Sequence, residues 1–321
     1  MSRVGLNPVS IPEGVTVSVK GSNINIKGPK GELNQKFDPD FKIKIEENTL
    51  SISRPSEQKR HKSLHGLYRA LIFNAVHGAP GENGQIISFL ELINLPYTGS
   101  NSYSSALTFN KRDCLSILKN HGINSSNNYY LDKNQKIDKD EIIKSVGLPC
   151  FVKANRSGSS FGIYKVYKKN ELTLAIQKAF KEDSQLIIER ALNGREFSVG
   201  VYRLNNEVKV LPITEIISEN DFFDYSAKYE GKSEEITPAK LDDKNIKKLK
   251  SISIKIFKLL NLNGFTRSEF IIENNIPYLL DINTVPGLTN ESILPKQLIA
   301  ANISLGSFFN DLLKEALNKN T

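Results

Sequence analysis

The sequence predicts an α+β protein made of two dissimilar parts, and two patterns carry this prediction. Residues 9–54 alternate apolar and polar side chains between turn signals, which indicates a small antiparallel sheet, and a helical pattern follows from about Ser56. From Phe73 onward, short apolar runs typical of strands are interspersed with amphipathic helix patterns. The change of pattern near Phe73 indicates a junction between two differently organised segments.

The elements expected in each part follow from turn signals and apolar spacing. In the first part, strands are expected over 15–19, 24–26, 41–45 and 50–53. In the second part, helices are expected over 85–92, from about Asn110 with Lys111 in the first turn, and over 172–180, 246–260 and 304–317. Strands are expected over 95–100, 149–153, 185–190, 196–203 and 207–216. The longest expected loop, 217–240, has the length of an active-site lid.

Composition limits the class of protein. The chain has 321 residues, of which 39% are hydrophobic and 24% charged, which is ordinary for a soluble globular protein of two or three domains. We find no apolar run long enough to span a bilayer and no signal-peptide core, so a cytoplasmic location is expected. The only cysteines, Cys114 and Cys150, give no disulfide framework and no metal spacing, and we expect buried thiols.

The net charge of +8 is unevenly distributed. Residues 1–72 hold 12 Lys and Arg against 7 Asp and Glu, which gives +5, and the remainder holds 31 against 28, which gives +3. A basic excess favours polyanionic partners, although basic residues also simply solvate a surface. The charge alone therefore leaves nucleic-acid binding open.

Two short polar stretches near the end indicate a metal site. In Arg267-Ser268-Glu269 and Asp281-Ile282-Asn283, alternate side chains share a face if each stretch is a strand. If the two strands pair, two carboxylates, an amide and a guanidinium converge. Such oxygen ligands suit Mg²⁺ held against substrate phosphates, and Arg267 can neutralise an oxyanion or phosphate. The alternative is a hairpin with solvated charges.

A second stretch indicates phosphate binding. The loop Gly158-Ser159-Ser160-Phe161-Gly162 can present backbone N–H groups to phosphate, and Lys153 and Lys111 precede it. Its spacing matches neither a P-loop nor a dinucleotide fingerprint. Glu189 can accept hydrogen bonds from a nucleotide amine or ribose, or be an ordinary carboxylate at a strand end. Tyr229 and Lys228 lie in the candidate lid, where they can close over a substrate.

The first 72 residues resemble the first domain of the large-subunit ribosomal protein six. The matching stretches are 1–8, Ile11-Pro12-Glu13-Gly14-Val15, Gly28-Pro29-Lys30-Gly31-Glu32-Leu33, Ser53-Arg54-Pro55-Ser56 and 64–72. The family's second domain, which makes much of its rRNA contact, has no counterpart in the match. The resemblance therefore implies a weak rRNA contact through residues 1–72.

Residues 73–317 resemble D-alanine–D-alanine ligases, which are ATP-grasp enzymes of peptidoglycan precursor synthesis. The motifs stand in order along the chain: 73–78 with Gly81-Glu82-Asn83-Gly84, 95–100, 105–111, 156–162, 223–229, and 281–289 with 291–295. The resemblance implies an ATP-grasp fold in which the nucleotide lies between two α+β lobes. It also implies two D-alanine substrates, a possible homodimer and no membrane.

The resemblance assigns roles to matching positions. ATP would be bound by Lys111, Lys153, Glu189, Glu196 and Lys228. Two Mg²⁺ ions, with Mn²⁺ as a substitute, would be held by Glu269, Asp281 and Asn283. Arg267 and the Gly287 backbone would stabilise the oxyanion, and Ser292 would hold the second substrate carboxylate. His77 would lie near the first substrate, while Ser159 and Tyr229 would link loop and lid.

Four departures from the family pattern stand out. Asn83 replaces a usual aspartate, Asp281 replaces a usual glutamate, and Glu269 replaces a usual aspartate, so that the longer Glu269 can compensate for the shorter Asp281. The family's opening strands, with the glycine-rich turn and the glutamate that orient the first D-alanine, are replaced by the ribosomal-like segment.

The resulting expectation is an ATP-dependent ligase that joins two D-alanines through an acyl phosphate. Its expected domains are 1–72, a remnant of the substrate lobe over 73–110, and an ATP-grasp domain over 111–321. The alternatives are a catalytically inactive fusion that binds ATP and Mg²⁺, an rRNA-binding protein of ribosomal type, and a junction that arose during gene assembly.

Overall fold

The protein is described from a computed structural model over residues 9–11, 13–28, 31–36, 39–56, 78–93, 95–158, 161–218, 233–289 and 291–318. These residues form two compact units. The first unit draws on Met1–Asn74, Ser88–Thr98 and Ile303–Thr321, and the second on Ala75–Ile87 and Gly99–Asn302. The domain boundaries expected from the sequence remain predictions, because a compact unit can combine segments of different ancestry.

The first unit contains six short strands, as expected from the alternating pattern, but in two sheets rather than one. They are β1 (Val9–Ser10), β2 (Thr16–Lys20), β3 (Asn23–Gly28), β4 (Gly31–Lys36), β5 (Lys42–Glu46) and β6 (Thr49–Ser53). Both sheets are antiparallel, with strand orders β1-β6-β5 and β2-β3-β4. The turns predicted at Gly21 and at Glu47 close the β2–β3 and β5–β6 hairpins. The helix expected from Ser56 lies outside the described residues.

Beyond residue 78 the described chain alternates helices and strands. The elements are α1 (Gln85–Leu92), α2 (Ser102–Phe109), α3 (Lys111–Asn120), β7 (Asn128–Asp132), α4 (Lys139–Val146), β8 (Cys150–Ala154), β9 (Ile163–Val166), α5 (Leu172–Ala179), β10 (Gln185–Arg190), β11 (Arg195–Leu204), β12 (Glu207–Val210), β13 (Thr214–Ser218), β14 (Ser233–Ile236), α6 (Asp243–Leu259), β15 (Phe265–Glu273), β16 (Ile276–Asn283), α7 (Ile293–Ala300) and α8 (Leu305–Asn318). Among the helices described, none is long and apolar enough to cross a membrane.

The second unit contains two antiparallel sheets, each with its own core. The first has the order β7-β10-β8-β9, and the second the order β14-β13-β11-β15-β16 with β12 on β11. Helices α4 and α5 cover the first sheet, where Ile142 and Ile176 pack on Ile188. Helix α6 covers the second, where Phe257 packs in one cluster with Phe197 and Phe270. Burial of these faces is the main stabilising contribution.

Most expected elements are confirmed, and three expectations are wrong. Residues 95–100 form no strand, because Gly99 has φ +102° and the Ser100 hydroxyl bonds to the backbone of Asn263 at 3.1 and 3.2 Å. The strand expected over 207–216 is split into β12 and β13. Within the expected loop 217–240, residues 233–236 form β14. Strand β7 and helices α2, α4 and α7 were not expected. Helix α2 is capped by Asn101, and its many serine and threonine residues obscure the apolar periodicity that would have predicted a helix.

Both cysteines are buried free thiols, as expected. Burial raises the pKa of the Cys114 thiol to about 12, with the negative charge of Asp281 adding to the effect. Burial also raises the pKa of Cys150, to about 11. Neither thiol is therefore ionised near neutral pH, which excludes a cysteine nucleophile at these positions.

A glycine contact between two turns gives a stability prediction. Gly264 has φ +66°, and an added Cβ would lie 2.6 Å from the Gly99 backbone, whereas Gly122 at φ +74° has its nearest neighbour, Lys255 Nζ, at 3.9 Å. We expect Gly122→Ala to lower the free energy of unfolding by about 1 kcal/mol through strain alone. Gly264→Ala should lower it by about 1–3 kcal/mol more. Urea unfolding of both variants measures the difference; equal losses would contradict the close contact.

Candidate active site

The two polar stretches near the end of the chain lie on paired strands. Strands β15 and β16 are antiparallel, with Arg267 opposite Asn283 and Glu269 opposite Asp281. The expectation that these strands pair is therefore confirmed. Directly opposed side chains lie on the same face of a sheet, so the four polar groups converge on one region. On the other face, Phe270 and Ile282 belong to the core.

A β-bulge makes this arrangement possible. The register shifts between Glu269 and Phe270, so that Phe270 faces Leu279 and Leu280 is the extra residue. Leu279 and Ile282 are three positions apart and yet both belong to the core. In a regular strand they would point to opposite faces. The bulge reverses the alternation, which keeps Leu279 buried while Asp281 joins Glu269 on the polar face.

Glu269 is only half satisfied by the protein. Arg267 Nε donates to Glu269 Oε1 at 2.6 Å, and the Ser198 hydroxyl on β11 lies 3.4 Å from the same oxygen. Glu269 Oε2 is buried, and no hydrogen-bond partner for it is found in the described part of the chain. Buried carboxylate oxygens are rarely left without a partner. The free oxygen therefore indicates a place for a bound cation.

Lys111, the first residue of α3, reaches this face from a helix. Its Nζ lies 3.5 Å from Asp281 Oδ2 and donates to the backbone oxygen of Ser157 at 2.7 Å. Only 9% of the Lys111 side chain is exposed, against 40% of the Asp281 side chain. The lysine ammonium thus lies between the loop that follows β8 and the carboxylate on β16.

A buried network holds the start of α3, and therefore Lys111, in place. The amide of Asn155 donates to Asn110, the cap of α3, at 2.8 Å and accepts from the Arg112 backbone at 2.9 Å. The Arg112 guanidinium, itself buried, donates to the backbone oxygens of Leu131 and Leu186. These contacts attach the start of α3 to the first sheet, while Cys114, Leu115 and Leu118 farther along the helix pack in the core of the second sheet. Neither Asn155 nor Arg112 was expected from the sequence.

The glycine-rich loop is anchored at its base. Arg156 donates to Asp183 from its backbone N at 2.8 Å and from Nη2 at 2.7 Å. Burial favours a higher pKa for Asp183, but the hydrogen bonds and charge of Arg156 outweigh it and lower the pKa. Gly162, at φ +70°, accepts a hydrogen bond from Ala154 N at 3.0 Å. The described ends of the loop are thus held together, as a phosphate-binding loop requires.

Lys153 and Glu189 form a buried ion pair on the first sheet. Their side chains are 13% and 4% exposed, and Lys153 Nζ lies 2.6 Å from Glu189 Oε2. Glu196 is half-buried on β11, opposite Ile271 of the second sheet. The two carboxylates expected at the adenosine end therefore lie on different sheets, joined by linker residues 191–194.

Gly287 and Ser292 are close neighbours. A Cβ added to Gly287 would lie 2.6 Å from Ser292 Oγ, so a larger residue would displace the Ser292 hydroxyl. Ser292 precedes α7, and its hydroxyl lies 2.9 Å from that of Thr289. The Gly287 backbone and the Ser292 hydroxyl can therefore contact one bound group together.

Four expected site residues lie outside the described residues: His77, Ser159, Lys228 and Tyr229. One buried carboxylate had been given no role. Glu82 accepts from the Gly78 backbone N at 2.7 Å, and its Oε2 lies 3.7 Å from where a Cβ on Gly158 would be. A carboxylate inside a glycine-dense stretch was the available signal in the sequence. The contact places Glu82 beside the glycine-rich loop.

The oxygen donors fit Mg²⁺ without forming an all-protein cage. Within the described residues there is no group of three or more His, Cys, Asp or Glu side chains suited to a metal. The set on β15 and β16 instead combines two carboxylates with Asn283, whose Oδ1 also accepts from Val285 N at 2.8 Å. Mg²⁺ is commonly held by one or two carboxylates together with substrate phosphates. The donor set is of that kind.

Family comparisons match both parts of the chain. The family described as D-ala D-ala ligase C-terminus matches residues 117–315, and the family described as Ribosomal protein L6 matches residues 11–79. The two resemblances found in the sequence are therefore confirmed.

Curated relatives and solved structures that resemble this chain are also D-alanine–D-alanine ligases. A D-alanine–D-alanine ligase of Flavobacterium johnsoniae is 54% identical over 246 residues, covering 77% of this chain and 76% of the relative. That of Christiangramia forsetii is 50% identical over 248 residues, with coverage of 77% and 76%. A crystal structure of the Bacillus anthracis ligase aligns with a TM-score of 0.71 at 30% identity, covering 83% of this chain and 86% of that one. The fold is accordingly ATP-grasp, and the chain belongs to the D-alanine–D-alanine ligase family.

Proposed function

We propose that the chain is an ATP-dependent ligase that joins two D-alanines for peptidoglycan precursor synthesis. The single observation that carries this proposal is the opposed pair Glu269 and Asp281, with Arg267 beside one carboxylate and Lys111 beside the other. The names of the relatives supply the substrate, since the Flavobacterium johnsoniae protein is a D-alanine–D-alanine ligase. A Bacillus anthracis ligase complexed with ATP aligns with a TM-score of 0.67 at 29% identity, covering 76% of this chain and 78% of that one.

The reaction has two steps. The carboxylate of the first D-alanine attacks the γ-phosphate of ATP, which forms an acyl phosphate and releases ADP. The amine of the second D-alanine then attacks the acyl carbon, and phosphate leaves. Arg267, which is largely buried and pre-positioned by Glu269, stabilises the oxyanion together with the Gly287 backbone. Ser292 binds the carboxylate of the second substrate.

The nucleotide is assigned to groups on both sheets. Lys111 and Lys153 bind its phosphates, and Glu189 and Glu196 bind its adenine or ribose. The buried Lys153–Glu189 pair supports this assignment, because it keeps a cation and an acceptor side by side on neighbouring strands. Lys228, Ser159, Tyr229 and His77 keep the roles that the family resemblance implies.

Glu269, Asp281 and Asn283 would hold the divalent ions, two Mg²⁺ in our proposal, with Mn²⁺ as a substitute. When bound, such ions neutralise the charge that develops on transferring phosphoryl groups. The buried Glu269 Oε2 supports this assignment, because a cation would give that oxygen its missing partner.

A second candidate function follows from the ribosomal-like segment. The ribosomal-like segment stands where the family orients its first substrate, which favours an inactive ATP- and Mg²⁺-binding fusion as the second candidate. A weak rRNA contact through residues 1–72, a homodimer and a cytoplasmic location remain proposals that no described contact tests.

Phosphate release distinguishes the ligase from the inactive binder. We expect ATP-dependent phosphate release in Mg²⁺ to require D-alanine and to match the dipeptide formed. Glu269→Ala should lower the rate by about 100-fold or more, because it removes charge stabilisation in the transition state. Glu215→Gln is the matched control, since Glu215 is also a buried carboxylate paired with an arginine, Arg195, on the same sheet. Release that ignores D-alanine would support the inactive fusion instead.

A second test exchanges the identities of the two opposed carboxylates, Glu269 and Asp281. Glu269 and Asp281 are directly opposed, so the summed reach of the two carboxylates stays the same when their identities are swapped. Glu269→Asp and Asp281→Glu should each lower kcat about 10–100-fold by misplacing a donor. The double variant should recover to within about threefold of the natural chain, as expected for coupled neighbours. Additive losses in steady-state kinetics would show that the two carboxylates do not share one site.

A further inference from the structure

The linker between the two carboxylates assigned to the adenosine end is held at several points. Residues 191–194 join β10 to β11, so Glu189 precedes the linker and Glu196 follows it. The backbone N of Arg190 donates to Asn127 at 3.0 Å, and that of Ala191 donates to Pro149 at 3.0 Å. The start of the linker is therefore attached to the first sheet and to the turn before β8.

A single carboxylate attaches the other end of the linker to the second sheet. Glu273, the last residue of β15, accepts from Arg190 Nη2 at 2.7 Å and from Arg190 Nη1 at 3.2 Å. Its Oε1 also accepts from the backbone N of Asn193 at 2.7 Å. The hydrogen bonds from Arg190, and then that from Asn193, lower the pKa of Glu273, so the carboxylate is charged near neutral pH.

The linker also lies directly against β15. A Cβ added to Gly194 would come within 2.1 Å of the Ile272 backbone oxygen, so the close approach requires glycine here. The Glu273 side chain is 13% exposed and that of Arg190 is 35% exposed. The two hydrogen bonds from Arg190 are thus partly buried, whereas the one from Asn193 N is exposed.

We infer that Glu273 is a positioning residue for the adenosine end of ATP, an inference that rests on the proposed function. Glu273 contacts no assigned substrate group. It acts through Arg190 and Asn193, and it sets where Glu189 on the first sheet stands relative to Glu196 on the second. Lys111 and Lys153 are attached elsewhere, through α3 and β8. Lys153 pairs with Glu189 on the same sheet, but among the described contacts neither lysine bonds to the linker, so loosening Glu273 should weaken adenosine binding more than phosphate binding.

The test measures nucleotide binding to the full chain by calorimetry in Mg²⁺, for Glu273→Ala and Glu273→Gln. We expect Glu273→Ala to raise the Kd for ATP about tenfold, because charge-assisted hydrogen bonds are lost. The Kd for adenosine should rise by a similar factor. The Kd for inorganic tripolyphosphate should stay within about twofold, because its binding needs only the phosphate end. Glu273→Gln should give a smaller rise, since its amide oxygen still accepts from Asn193 N.

Glu215→Gln is the matched control, because it removes the charge of a second arginine–glutamate pair in the same sheet. Its Kd for ATP should equal that of the natural chain. Unchanged ATP binding in Glu273→Ala, or a parallel loss of tripolyphosphate binding, would overturn the positioning role while leaving the proposed function standing. A natural chain that binds no ATP would overturn both.

Discussion

The candidate site depends on the register of strands β15 and β16, which sets Glu269 directly opposite Asp281. That register depends in turn on the bulge at Leu280, because only the bulge keeps Leu279 and Ile282 in the core while both carboxylates share the polar face. The bulge at Leu280 is thus needed both for packing of the core and for placement of the two carboxylates. A regular β16 would either expose Leu279 or bury Asp281.

Glu269, Asp281 and Glu189 each have a cation beside them in this structure. Arg267 pairs with Glu269, Lys111 approaches Asp281, and Lys153 pairs with Glu189. Buried charges require such partners, since an unpaired buried ion costs on the order of several kcal/mol in lost solvation. Under the proposed function, substrate phosphates take over the lysines while divalent ions take over the carboxylates. The internal ion pairs keep the site charged and organised until those ligands arrive.

The sequence predicted the parts of the site that depend on local patterns. Strand alternation around Arg267 and Asp281 was enough to anticipate the polar face, and a helix starting near Asn110 with Lys111 in its first turn was predicted correctly. The network of Asn155 and Arg112 could not be predicted, because it joins residues 19 to 74 positions apart that no local pattern connects. The bulge left only a weak signal, two consecutive leucines in an alternating strand.

Divalent metal binding tests the central claim most directly. Electron paramagnetic resonance of free Mn²⁺, recorded with the full chain and a non-hydrolysable ATP analogue, measures the affinity of the metal site. The account predicts nucleotide-dependent Mn²⁺ binding that weakens by at least about tenfold in Glu269→Gln and in Asp281→Asn. Binding of equal strength in the natural chain and in both variants would contradict a metal site between β15 and β16.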